Sequence, residues 1–130
     1  MVSDIVLDSS CLVAIIRDEA GADAVATWAD SFHMAMPNVV EVCDAIVRAG
    51  GQAEDVCRIL QALSVNVVPF TLSLAIEAGD LFRPARSAGL SLGDRCCLAL
   101  ARTTAMSALT GDRAWLKVAN DIGVKVELFR

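Results

Sequence analysis

In Ile5-Val6-Leu7-Asp8-Ser9-Ser10 a short β-branched run stops at an acid, and two serines lead into the apolar stretch Cys11 to Ile16, helical in look up to Arg17. That is strand, turn and helix, the opening of an α/β fold. The alternation continues outward from it. Met34-Ala35-Met36, Val65 to Val68, Met106 to Leu109 and Val124 to Phe129 read as further strands, the second ended by Pro69. Between them, three- and four-residue apolar spacing predicts helices over 22–30, over 39–49 with a stop at Gly50-Gly51, and over 53–63. Thr71 caps a helix running to about Phe82, with Pro84 disturbing its end, and Asp94 to Thr104 is helical. A short helix passes through Trp115 and Val118. Strands alternating with helices imply a mainly parallel sheet covered on both faces.

A chain of 130 residues fits one domain, 1–130, and it carries no repeat, linker or low-complexity segment. Hydrophobic residues make up 55% before its eight glycines are counted, against a usual ~45–50% with glycine included. This excludes a disordered protein. The longest apolar runs, Cys11 to Ile16 and Cys96 to Ala101, have six residues each, far below the ~18 of a membrane span. Met1-Val2-Ser3-Asp4 has an acid where a signal peptide would have a base, so the expected location is the cytoplasm, with no membrane partner. The five cysteines form no C-x-x-C pair and no zinc-type spacing with the single His33, and they read as small buried hydrophobes of a reducing compartment. A net charge of −5 disfavours a chain-wide grip on nucleic acid and leaves a local patch open.

Ligands of an open parallel sheet collect beyond the carboxyl ends of its strands. Asp8 directly follows the first strand, Asp112 lies three residues beyond Leu109, and Glu41 and Asp94 open the helices after Met36 and Gly93. Each acid alone has a structural explanation. Asp8 could cap its helix; Asn38/Glu41 and Ser91/Asp94 resemble capping boxes; Asp112 could be a turn residue beside Gly111. Four acids on one rim are harder to explain this way. Two unit charges ~4 Å apart repel by about 4 kcal/mol at an effective dielectric of 20. A hard divalent cation, Mg²⁺ or Mn²⁺, offsets that cost through oxygen ligands and can activate water beside a phosphoryl group. The chemistry so implied is metal-dependent phosphodiester hydrolysis. His33, lacking a paired acid or nucleophile in view, reads as structural, and no phosphate-binding glycine loop or serine-hydrolase elbow is present.

At these residues the sequence resembles the PIN domain family, and within it the small VapC-type ribonuclease toxins. The matching segments are Ile5-Val6-Leu7-Asp8-Ser9-Ser10, Asn38-Val39-Val40-Glu41-Val42, Ser91-Leu92-Gly93-Asp94-Arg95 and Leu109-Thr110-Gly111-Asp112-Arg113-Ala114-Trp115, in family order. The resemblance implies a three-layer α/β/α sandwich around a parallel sheet. It also implies Mg²⁺ or Mn²⁺ held by Asp8, Asp94 and Asp112, with Glu41 acting nearby through water. Ser10 and Thr110 match polar positions beside the first and last acids, where hydroxyls orient a carboxylate or cap a turn. Arg95 and Arg113 follow metal-facing acids and could meet RNA phosphates, neutralise the rim or face solvent. An RNA substrate, a cognate VapB-type antitoxin and a homodimer are the partners that the resemblance implies. Apolar residues on the helices after Asp8 and after Gly51 provide material for such surfaces. Two other readings stand beside it. One is a catalytically idle PIN-like binding module. The other is a receiver-like phosphoacceptor domain, which wants an adjacent acidic pair at the first strand and a lysine after a late one, whereas the only lysines here are Lys117 and Lys125.

Overall fold

A computed structural model describes residues 2–130. Its five strands are β1 (Val2–Leu7), β2 (Ala29–Ala35), β3 (Val65–Val68), β4 (Ser107–Thr110) and β5 (Val126–Leu128). They form one sheet in the order β3-β2-β1-β4-β5, with every pairing parallel. The helices are α1 (Ser9–Ile16), α2 (Met36–Arg48), α3 (Val56–Ala62), α4 (Leu72–Asp80), α5 (Phe82–Ser87), α6 (Leu92–Thr104) and α7 (Ala119–Ile122).

Alternation along the strands divides the core into two layers. Ile5, Leu7, Phe32, Met34 and Leu109 point to one face and pack with Leu12 of α1, Val42 and Ile46 of α2 and Val56 of α3. Val6, Ala35 and Ala108 point to the other, against Leu74 of α4, Ala85 of α5, Leu98 of α6, and Trp115 and Ile122. The result is the expected three-layer α/β/α arrangement around a parallel sheet. No helix among the described residues is long and apolar enough to cross a membrane.

Several boundaries differ from the sequence reading. The helix expected over 22–30 is a 3₁₀ turn, Ala22–Thr27, entered through Gly21 at φ 82, and β2 begins at Ala29. The evenly spaced alanines imitate a helical face, while Asp30, Ser31 and His33 disguise a strand. His33 is satisfied sideways across the sheet: its Nε2 lies 3.0 Å from Asp4 Oδ1 on β1, and Asn66 Nδ2 of β3 lies 3.1 Å from its Nδ1. His33 therefore does have a paired acid, contrary to the premise of its structural reading, and the pair links β1 to β2. Between 53 and 63, a 3₁₀ turn at Ala53–Asp55 precedes α3. Thr71 caps α4 as expected, its Oγ1 accepting from the Leu74 N–H. That helix stops at Asp80, and Pro84 lies in the first turn of the separate α5, where a missing N–H costs nothing. Helix α2 starts at Met36, three residues earlier than expected, with Pro37 in its first turn.

Candidate active site

Parallel pairing of β1 with β4 sets Leu7 beside Leu109 and so brings Asp8 and Thr110 together at the carboxyl ends of adjacent strands. The Asp8 N–H donates to Leu109 O at 2.9 Å, which continues the ladder into the site. Asp8 is 3% exposed and stands at the N-cap position of α1, yet its side chain does not cap the helix. Oδ2 accepts from the Ser10 hydroxyl at 2.7 Å and the Thr110 hydroxyl at 2.9 Å. Each hydroxyl is itself oriented by a backbone N–H of the loop after β4: Gly111 N donates to Ser10 Oγ at 3.0 Å, and Asp112 N donates to Thr110 Oγ1 at 3.1 Å. The other oxygen, Oδ1, is buried without a partner. Burial pushes the Asp8 carboxyl up to about 6; the two hydroxyls oppose this, and the charges of Asp94 and Glu41 add to it.

Asp94, the third residue of α6, is a capping-box acid as its spacing suggested. The Ser91 N–H donates to Asp94 Oδ2 at 2.8 Å, and the Asp94 N–H donates to Ser91 Oγ at 3.2 Å. Its carboxyl is nonetheless raised, chiefly by burial and further by Asp112 and Glu41. The cap therefore fixes an acid that also faces the other three. Asp112 is exposed and caps the turn Arg113–Lys117, its Oδ1 accepting from Ala114 N at 3.0 Å.

The Asn38/Glu41 pair does not form a capping box. Asn38 lies inside α2, fully buried, and its Nδ2 donates to Glu41 Oε1 at 2.8 Å and to Gly93 O at 2.9 Å. One amide thus ties Glu41 to the start of α6. A Cβ on Gly93 would collide with the Glu41 carboxylate, 2.6 Å from Oε1, so the absence of a side chain there makes room for the acid. A cleft of about 530 Å³ opens beside Glu41, walled by Pro37, Phe70 and Leu92. Sequence reading missed both Asn38 and Gly93 as site residues, although both stand inside the segments that carried the resemblance.

The structure gathers all four predicted acids at one end of the sheet, close enough that Asp8 feels Asp94 and Glu41, and Asp94 feels Asp112 and Glu41. As placed, no three His, Cys, Asp or Glu among the described residues form a group able to hold an ion. Each of the four keeps one oxygen on a hydrogen bond that holds it in position. The donor set still fits a hard divalent cation. It consists of oxygens only, and its innermost member presents an oxygen that lacks a partner. Burial raises the pKa of the neighbouring thiols Cys11, Cys96 and Cys97 above the usual thiol value.

The arginines fall differently from expectation. Arg95 Nη1 donates to Ala78 O of α4 at 2.9 Å, and its guanidinium lies 5.2 Å from the centre of the Phe82 ring. It anchors α6 to α4 and α5, a use that the three readings offered for it did not include. Arg113 is exposed beside Asp112.

Solved structures with this fold include a toxin-antitoxin complex from Klebsiella pneumoniae, 19% identical over 97% of this chain and 98% of that one, with a TM-score of 0.71. The DNA-bound VapBC of Salmonella typhimurium is similar at 13% identity, 98% and 99% coverage and a TM-score of 0.73. VapC20 of Mycobacterium tuberculosis, described as a sarcin-ricin loop cleaving toxin, is similar at 18% identity, 80% and 86% coverage and a TM-score of 0.67. No curated protein matches the chain in sequence. The family model of the PIN domain matches residues 5–121, which takes in the end of β1, Asp8, Glu41, Asp94 and Asp112, and the chain therefore belongs to the PIN domain family.

Proposed function

We propose that this chain is, as one domain over 1–130, a VapC-type toxin. It is a cytoplasmic, homodimeric endoribonuclease that hydrolyses RNA phosphodiester bonds with water in the presence of Mg²⁺ or Mn²⁺, and a cognate VapB-type antitoxin neutralises it. The observation that carries the reading is Asp8: a buried carboxylate whose Oδ2 is held by two hydroxyls while Oδ1 has no partner, on the rim shared by Asp94, Glu41 and Asp112. A buried carboxylate oxygen without a partner is uncommon in folded proteins, and an ion shared with the neighbouring acids would supply one.

Asp8, Asp94 and Asp112 would hold the ion, with Glu41 acting through water. Bound there, such an ion supplies an acidified water and offsets charge on the phosphoryl oxygens. The chain's own part is positional. Ser10 and Thr110 hold the Asp8 carboxylate in one orientation, Asn38 holds Glu41 across the α2–α6 contact, and Ser91 locks Asp94 at the start of its helix. Support for an antitoxin comes from the toxin-antitoxin complexes among the similar structures and from apolar surface on the two helices expected to carry it. Ile15 of α1 is 36% exposed, and with Ile59, Ala62 and Leu63 of the α3 segment it lines a groove of about 420 Å³.

The test is cleavage of total cellular RNA with Mn²⁺, wild type beside Asp94→Asn, with cut sites mapped. Specific cuts that vanish in Asp94→Asn and in EDTA are expected. Cleavage that survives both, or a wild type that never cuts, sinks the reading and favours the idle binding module.

A further inference from the structure

We propose that Arg130 is a contact for an RNA phosphate, held against the loop that carries Asp112. This rests on the nuclease reading above and goes beyond it by naming a residue that meets the substrate. The starting point is Gly111. Its backbone is not in the left-handed region, so conformation alone does not call for glycine there. Space does: a Cβ at 111 would lie 2.7 Å from Arg130 Nε and 3.0 Å from its Cζ and Nη2. The guanidinium thus occupies the place of the missing side chain, between Thr110, whose hydroxyl bonds Asp8, and Asp112, whose N–H holds that hydroxyl.

Arg130 is fixed there from three sides. Nη1 donates to Glu19 Oε1 at 2.9 Å, the guanidinium lies 5.0 Å from the centre of the Phe129 ring, and the chain before it passes so close to Gly21 that a Cβ there would lie 2.6 Å from Phe129 O. Its charge is not spent on the acids of the site. The only carboxylate paired with it among the described residues is that of Glu19, and no arginine is among the causes acting on Asp8 or Asp94. Nε and Nη2 face the loop side with the side chain about one-third exposed. A preorganised guanidinium with donors to spare, beside an acidic rim, suits a phosphate oxygen of the polyanion that must approach that rim. Arg95, the sequence candidate for the role, has its guanidinium turned to Ala78 and Phe82.

The experiment measures binding of an unstructured oligoribonucleotide to the full chain in a cleavage-dead Asp94→Asn background, as a function of salt, and separately kcat and KM with Asp94 intact. Arg130→Ala should flatten the log K against log salt slope by about 0.7, the loss of one single-strand phosphate contact, and raise KM about tenfold while leaving kcat within about twofold. Gly111→Ala should reproduce both changes by displacing the guanidinium, and should add nothing in the Arg130→Ala background. Arg130→Lys should fall between, keeping charge without the fork. An unchanged salt slope, a loss confined to kcat, or a loss confined to thermal stability overturns the proposal. A wild type that binds RNA with the expected Arg130 dependence and never cleaves keeps the contact and sinks the nuclease reading instead.

Discussion

Thr110 Oγ1 donates to Asp8 Oδ2 at 2.9 Å across a sequence separation of 102 residues, and the same hydroxyl accepts from the Asp112 N–H. One side chain therefore fixes two acids. Thr110→Val keeps the shape and removes both bonds at a fully buried position, so a stability loss of about 1–3 kcal/mol is expected. The proposed activity should fall about 10–100-fold, the range for losing a residue that orients a metal ligand. Urea melts and cleavage rates of the purified variant check both; full activity would show that the hydroxyl is only packing.

Asp8 makes the ion-free protein pH-sensitive in a direction opposite to most carboxylates. Its folded carboxyl is raised from 3.8 to about 6, so between those values the folded state holds more protons than the unfolded one. Stability from this group is present below about pH 4 and is lost as pH rises through about 6, a change of about 3 kcal/mol. Asp94 is shifted the same way. Unfolding of EDTA-treated protein should therefore show Asp8→Asn gaining on wild type between pH 4 and pH 7, and Mn²⁺ should restore wild type alone. A gap that closes with rising pH would contradict the burial.

Gly93 separates folding from function. The atoms nearest an alanine Cβ there all belong to the tip of the Glu41 side chain, and alanine is favoured over glycine in a helix by about 1 kcal/mol. Gly93→Ala should hold or raise the melting temperature while cleavage drops at least tenfold. Equal loss of both would mean that Glu41 cannot yield.

Asn38→Asp tests the amide that joins α2 to α6. The new carboxyl would stand, fully buried, against Glu41 Oε1, where the amide now donates at 2.8 Å. It should carry a raised pKa, and stability should fall as pH rises, with a larger deficit at pH 8 than at pH 5. Parallel denaturation curves at the two pH values decide it.

Asp8 was legible in the chain because a β-branched run ending in an acid is a local pattern, and the parallel sheet then follows from the repetition of strand and helix. Asp94 was legible twice over, as a cap and as a rim acid. Asn38 was misread because its bond to Glu41 has the spacing of a cap while its second partner is not local: Gly93 lies 55 residues away and is reached only once α2 and α6 pack. Strand β2 was shortened for a similar reason, since His33 is polar in sequence and is satisfied by Asp4 and Asn66 on neighbouring strands. Arg130 had no local signal, because its meaning depends on a glycine in a loop it touches only in three dimensions.

The central position of β1, flanked by β2 and β4, has a consequence for the order of events in the cell. A ribosome making this chain produces Asp8 and Glu41 well before the strand that completes them, and Asp94 shortly before it. Until β4 has emerged and docked, Asp8 lacks the Thr110 hydroxyl and the rim lacks Asp112. A chain cut short before β4 therefore holds these acids without the hydroxyl that orients Asp8, and the rim is assembled only when β4 docks beside β1.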